Sequence, residues 1–367
     1  MTSVCPRAIV AVVTPTPPDQ SFASDNAAGA HPEVIEALRA ANVGGALPYG
    51  RDPWTTRSAE RFRALFDADV EVLYTYGGTG ANVVALQCML APHDAVICPT
   101  SAHLNVDECG APERFTGAKL IDVPSSDGKL SPGTVRALLQ PSHDEHHVTP
   151  RVLAISQPTE LGTLYTLDEI GELAGLAHEH GLLLYVDGAR IANAVAALGC
   201  SVRELTYGAG VDVLTFGGTK NGLLYGEAVV LLRPELARRA RFARKQAGQL
   251  ASKMRFIAAQ FDVLLEDDLW LASAANANDM ARRLASRLAE VPQVEIIRPV
   301  EVNSVFARLP APLVAELQSW SFFWDWDLND GLVRWMTSFA TSDQDVTRFA
   351  DGVRYFANRY SPGTSGS

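Results

Sequence analysis

Short apolar runs alternate along the chain with amphipathic stretches of helical spacing. The runs are rich in β-branched residues and occupy residues 70–76, 94–99, 118–124, 151–156, 182–187, 211–216 and 227–233. In the intervening stretch TLDEIGELAGLAHEHG, Leu167, Ile170 and Leu173 share one helical face. This alternation predicts an α/β fold, in which a mostly parallel seven-stranded sheet is covered by helices on both faces.

The pattern changes near residue 250. Residues 251–291 predict one long helix, and two apolar segments with a final helix around 345–360 then indicate a smaller α+β unit. The sequence therefore predicts two domains and two tails: a flexible N-terminal tail at 1–20, a large α/β domain at 21–255, a small C-terminal α+β domain at 256–360 and a disordered tail at 361–367.

Charge and cysteine usage exclude several classes of protein. The formal net charge of −11 disfavours a nucleic-acid surface. No apolar run approaches the roughly 20 residues that span a membrane. The five cysteines are scattered, with no CxxC pair, which indicates reduced thiols and a cytoplasmic protein. The three histidines of residues 142–150 could bind a metal, but no partner cysteine or acid motif accompanies them, so we expect a polar surface loop there rather than a metal site.

In a parallel sheet, ligands bind beyond the carboxyl ends of the strands. The residues directly after each apolar run are therefore the candidates for a site. The first run is followed by GGTG at 77–80, where glycine amides at a helix start suit an anion. This turn matches neither nucleotide-binding fingerprint, and an ordinary strand-to-helix turn remains the alternative.

Three more runs are followed by polar residues. His103 follows the second run and could stack on a flat ligand, although it could also be an ordinary loop histidine. Polar residues beginning at Gln157 follow the fourth run and have no signature of their own. Asp187 ends the fifth run, where a carboxylate needs a cationic partner. That partner is either Arg190 or a cationic ligand atom.

Lys220, in FGGTKNG after the sixth run, is one of five lysines in a chain with 26 arginines. A desolvated lysine can lose its proton and form an imine, whereas an arginine cannot. Gly217, Gly218 and Gly222 are expected to make room for a bulky group; an exposed loop lysine is the alternative. Together, the glycine turn, His103, Asp187 and Lys220 are the parts needed to hold pyridoxal phosphate.

The segments DGARIANA, FGGTKNG and SDNAAGAHPEV resemble the threonine aldolase (β-eliminating lyase) family. ALPYGRD, HLNVDECGAPE, TELGTLYTLDEI and RKQAGQLASKMRF are similar to its low-specificity L-threonine or phenylserine aldolase branch. The resemblance covers roughly residues 22–350. It implies a fold-type I pyridoxal-phosphate enzyme that cleaves β-hydroxy-α-amino acids to glycine and an aldehyde. It also implies a homodimer or homotetramer with active sites at the subunit interface.

The resemblance assigns the cofactor contacts. Lys220 would bind pyridoxal phosphate covalently, Asp187 would pair with its ring nitrogen, and His103 would stack on the ring. The remaining cofactor contacts would come from the glycine turn and the residue after the fourth run: Gly78, Thr79, Gly80 and Gln157.

Ser24, Arg190 and Arg334 would hold the substrate carboxylate. Many members of the family carry a second active-site histidine in the loop after the stacking one, but here that loop reads ECGAPERF. The group that removes the β-hydroxyl proton is therefore left open between His103 and a bound water. Another pyridoxal-phosphate lyase or aminotransferase, or a non-catalytic relative, remains the alternative.

Overall fold

The computed structural model describes residues 14–139, 145–327 and 330–360. The tail predicted at 361–367 and residues 1–13 of the tail predicted at 1–20 lie outside the described residues, as does part of the polar loop at 142–150. Asp19 and Gln20, at the end of the predicted N-terminal tail, donate backbone N–H groups to Asp345 at 2.9 and 3.1 Å.

Within the described ranges, seven strands form one sheet. They are β1 (Glu71–Thr75), β2 (Asp94–Pro99), β3 (Lys119–Val123), β4 (Thr149–Ser156), β5 (Leu183–Gly188), β6 (Val213–Gly217) and β7 (Glu227–Leu231). The strand order is β1-β7-β6-β5-β4-β2-β3. Only β7 runs antiparallel to its neighbours β1 and β6. All seven predicted strands, and the mostly parallel sheet, are confirmed.

Helices cover both faces of this sheet. They are α1 (Pro32–Ala41), α2 (Pro53–Phe66), α3 (Gly78–Met89), α4 (His103–Val106), α5 (Ala111–Thr116), α6 (Pro132–Arg136), α7 (Leu167–Glu179), α8 (Ile191–Leu198), α9 (Val202–Leu205), α10 (Ala237–Gln246) and α11 (Arg255–Leu264). Helix α7 is the amphipathic segment predicted at 166–181. A capping box between Thr166 and Glu169 fixes its start.

The two faces of the sheet carry separate cores. On one face, Phe62 packs against Phe216 and Phe261 with ring centroids 5.3 and 5.6 Å apart. On the other face, α3 buries Val84 and Leu86 against the strands. Because both faces are covered, the strand ends are left as the place where a ligand can reach the sheet.

The prediction of a single long helix at 251–291 is wrong. The segment forms α11 and α12 (Leu269–Leu288), separated by a turn at Glu266–Asp268. Asp267 and Asp268 have φ values of 47° and 56°, in the left-handed region that interrupts an α-helix. Aspartate tolerates this conformation better than most residues, while the apolar pattern continues on both sides and hides the break.

A second sheet follows, of four strands among the residues described: β8 (Glu295–Ile296), β9 (Ser304–Arg308), β10 (Asp325–Asp327) and β11 (Leu332–Met336). Helices α12, α13 (Ala311–Trp320) and α14 (Asp343–Arg359) accompany it. Its core contains Trp335 and Phe349, and Phe22 from the N-terminal segment stacks on Phe349 at 4.3 Å. The domain boundary at residue 255 stays a prediction.

The described residues offer neither a membrane-spanning helix nor a cluster of metal ligands. No helix there has both the length and the apolarity to cross a membrane. No group of three or more histidine, cysteine, aspartate or glutamate side chains there is arranged to hold a metal ion.

Candidate active site

A cavity opens at the carboxyl ends of β4, β5 and β6, beside the start of α3. Five of the predicted site residues line it: Gly78, His103, Asp187, Arg190 and Lys220. Five residues that the sequence reasoning did not assign complete the lining: Asn82, Ser156, Pro158, Glu160 and Ala189. The strand-end rule therefore located the site, and the structure adds the polar groups between the predicted ones.

Lys220 lies in the short 3-10 turn Thr219–Asn221 after β6. Its ammonium group makes no ion pair within the described part of the chain. The neighbouring glycines serve a purpose other than the expected one. A Cβ atom on Gly217 would collide with the backbone of Ala189, and one on Gly218 with Gly226. These glycines allow close packing of backbone segments rather than making room for a ligand.

Asp187 is held rigidly. Its Oδ1 accepts the backbone N–H of Ala189 at 3.0 Å, and its Oδ2 accepts Nδ2 of Asn82 at 3.0 Å. Asn82 in turn accepts the hydroxyl of Tyr185, which also bonds Thr215. This network fixes the orientation of the carboxylate, and no sequence motif pointed to Asn82 or Tyr185.

His103 is held by a carboxylate that the sequence reasoning missed. Its Nδ1 lies 2.9 Å from Oε1 of Glu108, whose side chain is completely buried. Oε1 of Glu108 also accepts Nδ2 of Asn82 at 2.6 Å. The hydrogen bond with Glu108 raises the pKa of His103 above its usual value. Glu108 lies in the loop after His103, where many members of the family carry a second active-site histidine.

The glycine turn forms an open helix start. Helix α3 begins at Gly78 with no side-chain cap, and a Cβ atom on Gly77 or Gly78 would meet nothing within 4 Å. The first amides of α3, including that of Thr79, therefore have space in front of them for an anion. A Cβ on Gly80 would collide with the side chain of Gln249, and the predicted phosphate contact of Gly80 stays a prediction.

Two arginines lie near each other beside the cavity. Arg190 pairs with Asp25 at 2.5 and 3.0 Å, so the alternative in which it pairs with Asp187 is wrong. Burial alone would raise the pKa of Asp25, but the charge and hydrogen bonds of Arg190 hold it below its usual value. The buried Nε of Arg334 has no hydrogen-bond partner in the described residues. Burial, and then the charge of Arg190, lowers the pKa of Arg334 to about 10.

Ser24 and Gln157 are not among the cavity-lining residues. Ser24 accepts the backbone N–H of Asn26 at 3.2 Å and directly precedes Asp25, the partner of Arg190. Both amide groups of Gln157 bond the backbone of Tyr165, at 2.8 and 3.0 Å. Their proposed ligand contacts stay predictions.

These residues fit pyridoxal phosphate. The open start of α3 suits its phosphate, Asp187 suits a protonated ring nitrogen, and Lys220 offers a free amine beside both. The fold and the site together define a fold-type I pyridoxal-phosphate-dependent enzyme.

Comparison with known proteins narrows this class. The model of the β-eliminating lyase family matches residues 21–311. The low specificity L-threonine aldolase of a Pseudomonas species is 44% identical over 342 residues, which cover 92% of this chain and 98% of that protein. The enzyme of the same name from Pseudomonas aeruginosa is 44% identical over 91% of this chain and 97% of that protein.

A solved structure agrees. The threonine aldolase of Leishmania major superimposes with a TM-score of 0.85 at 32% identity, covering 92% of this chain and 99% of that one. The chain therefore belongs to the β-eliminating lyase family, and it is a lyase whose cofactor is pyridoxal 5′-phosphate.

Proposed function

We propose that the protein cleaves β-hydroxy-α-amino acids of the L-threonine, L-allo-threonine and phenylserine type to glycine and an aldehyde. The observation that carries this proposal is Arg190 in the same cavity lining as Lys220, with Arg334 close to Arg190 but outside that lining. The buried Nε of Arg334 has no hydrogen-bond partner in the described residues. An amino acid supplies the carboxylate for the arginines and the amine for the cofactor. The names of the Pseudomonas relatives support the choice of reaction.

The cofactor is held by residues from separate elements. Lys220 would hold it covalently. The first amides of α3 would hold the phosphate, and His103, whose side chain is 42% exposed, would pack against the cofactor ring. When bound, pyridoxal phosphate supplies an electron-poor ring that stabilises negative charge on Cα, and Asp187 keeps its ring nitrogen protonated.

The arginines orient the substrate. A guanidinium group can hold a carboxylate through two parallel hydrogen bonds, which fixes its direction. Arg190 is itself fixed by Asp25, and Asp25 is bonded to Asn303 at 3.1 Å. Holding the carboxylate would fix the orientation of the bonds at Cα and thereby select the one that is broken. Orientation of this kind can lower a barrier by several kcal/mol.

Assembly, location and domain division are further parts of the proposal. A homodimer or homotetramer with interfacial sites is supported by exposed apolar side chains, which a partner would cover: Leu47, Tyr49, Tyr76, Leu224 and Phe242. Free cysteines at positions 88, 98, 109 and 200 suit the cytoplasm. We place the division between the large and small domains at residue 255.

The purified protein, incubated with pyridoxal phosphate, tests the proposal. We expect an imine absorbance band that is absent in Lys220→Ala, and equal amounts of glycine and aldehyde from L-threonine or phenylserine. A keto acid or ammonia in place of these products would move the reaction to an aminotransferase or another lyase. No band at all would contradict the assignment of Lys220.

A further inference from the structure

We propose that Glu160 is the catalytic base that accepts the β-hydroxyl proton, through its Oε2. This inference rests on the proposed function and deepens it. Sequence reasoning left the base open between His103 and a water, and gave Glu160 no role. The contacts of Glu160, its charged surroundings and the state of the other acids in the site all point to it.

Glu160 has one occupied oxygen and one free oxygen. Oε1 accepts the hydroxyl of Ser156 at 2.6 Å and the backbone N–H of His103 at 2.8 Å. Oε2 is buried, and no hydrogen bond to it is formed by the residues described. A buried carboxylate oxygen without a donor is rare in native proteins and requires an explanation. Since Glu160 lines the same cavity as Lys220, a substrate hydroxyl is the donor that the site lacks.

The groups around Glu160 set its protonation. Burial raises its pKa and the negative charge of Asp187 adds to the rise, while the donors Ser156 and His103 act in the opposite direction. The cations Arg190 and Arg334 lie close enough to interact with it electrostatically. The net effect is that the pKa of Glu160 lies above its usual value. This pKa is closer to that of an effective base at neutral pH.

The other acids near the site are either engaged or outside the cavity lining. Both oxygens of Asp187 are bonded, and Asp25 is paired with Arg190. Glu108 uses its Oε1 for both His103 and Asn82. Oε2 of Glu108 is also buried without a partner in the described residues, but Glu108 does not line the cavity. His103 is a weaker candidate because the hydrogen bond with Glu108 favours its protonated form.

The position of Glu160 suits the hydroxyl. In the substrate, Cα carries both the amine, which must reach the Lys220 position, and the carboxylate, which the arginines hold. The β-hydroxyl is attached one carbon further on, so a group near both Lys220 and the arginines is within its reach. Glu160 shares the cavity lining with Lys220 and Arg190.

Cleavage combines a proton transfer from the β-hydroxyl with the breaking of the Cα–Cβ bond. Oε2 of Glu160 takes the β-hydroxyl proton, and the electron pair of the O–H bond becomes the second carbon–oxygen bond of the aldehyde. The Cα–Cβ bond breaks and its electron pair stays with the glycine fragment. A proton then delivered to Cα completes glycine, and Glu160 loses its proton to solvent. Overall, the proton of the hydroxyl is exchanged for one on Cα.

The test uses Glu160→Gln in the cofactor-loaded enzyme, with two reactions measured in parallel. The rate of L-threonine cleavage should fall by about 10²–10⁴-fold, the usual contribution of a general base. Exchange of the glycine α-proton with D₂O, followed by NMR, needs no β-hydroxyl and should stay within a few-fold of wild type. The imine absorbance band should be unchanged.

Three controls sharpen the result. Glu160→Asp keeps a carboxylate and should recover part of the lost activity. Glu172→Gln, an exposed glutamate of α7, should behave as wild type. Ser156→Ala removes a donor that favours the ionised form, so the acidic limb of the kcat/KM profile should move to higher pH.

Two outcomes would overturn the assignment: Glu160→Gln cleaves threonine within a few-fold of wild type, or it loses glycine exchange as fully as cleavage. The second would make Glu160 a residue that supports the whole site. If Glu160→Gln loses the absorbance band, Glu160→Asp decides, because a Glu160→Asp enzyme with an intact band and no detectable threonine cleavage contradicts the proposal. Failure of the proposed function looks different, because wild type itself would exchange glycine yet form no aldehyde.

Discussion

The two sides of the cavity differ in how their polar groups are satisfied. On the cofactor side, Asp187, Asn82, Tyr185 and Glu108 bond one another, and of these only Oε2 of Glu108 lacks a partner in the described structure. On the substrate side, Nε of Arg334 and Oε2 of Glu160 are buried without a partner among the same residues. Apart from Oε2 of Glu108, the side-chain network that holds Asp187 is complete without a ligand, whereas the substrate side is not.

This difference separates preorganisation from recognition. A connected hydrogen-bond network holds its members in one geometry before any ligand arrives, which is what a cofactor used in every turnover requires. An unpartnered buried group is costly, and the cost is removed when a ligand supplies the missing partner. The substrate side therefore gives up some stability so that it can bind an amino acid.

The largest effect tests whether the two sides form one site. Lys220→Ala should abolish the imine band and reduce threonine cleavage by at least about 10⁴-fold, because covalent attachment of the cofactor is lost. Absorbance and product formation on the same sample check this. A variant that keeps an imine band would place the reactive amine on another lysine. Lys245→Ala, on α10, is the matched control substitution.

The next effect concerns the substrate side alone. Arg334→Gln should raise the KM for L-threonine by about 10–100-fold, since a hydrogen-bonded charge contributes about 1.5–3 kcal/mol. Steady-state kinetics at saturating cofactor measure it. Arg308→Gln is the matched control and should leave KM unchanged. Arg308 lies on the neighbouring strand β9 and pairs with Glu295 and Asp330.

A smaller effect is expected on the cofactor side. Asn82→Ala removes the donor that joins Asp187 to Glu108, and should weaken cofactor affinity by about 10-fold through loss of that hydrogen bond. Titration of the apoprotein with pyridoxal phosphate measures the affinity. Unchanged affinity with raised KM would show that the network serves the substrate instead.

The smallest effect is a change in titration. Glu108→Gln removes the charge that raises the pKa of His103, so the midpoint should fall toward about 6.5. Because the folded-state pKa is raised, pairing stabilises the fold below about pH 6.5, and this contribution is lost as the pH rises through the folded-state pKa. NMR titration of the His103 ring measures the midpoint, and no downward movement would contradict the role given to Glu108.

The large sheet and α7 could be predicted because their signals are local. Each strand is an apolar run bounded by polar residues, and α7 begins with a Thr166–Glu169 capping box visible in the sequence. The break between α11 and α12 could not, because two aspartates in the left-handed conformation leave the surrounding apolar spacing intact. Propensity does not reveal a break of that kind.

The site divides in the same way. Lys220, Asp187, His103 and the glycine turn directly follow strands, so the strand-end rule identified them. Asn82 matters through its contact with Asp187, 105 positions away in the sequence. Glu108 and Glu160 lie in the segments after β2 and β4, but their roles depend on which atoms they contact, such as the backbone N–H of His103 with Glu160. The pairing of Arg190 with Asp25 joins residues 165 positions apart and was likewise hidden. Contacts of this kind become visible only when the chain is folded.

The contrast between the two sides is tested most directly by measuring cofactor affinity and threonine KM together for Asn82→Ala and Arg334→Gln. We predict a crossed result, in which Asn82→Ala weakens the cofactor at near-normal KM while Arg334→Gln raises KM at near-normal cofactor affinity. If both variants change the two quantities in equal proportion, the cavity is a single cooperative unit. The division between a nearly complete side-chain network on the cofactor side and an incomplete substrate side would then be wrong.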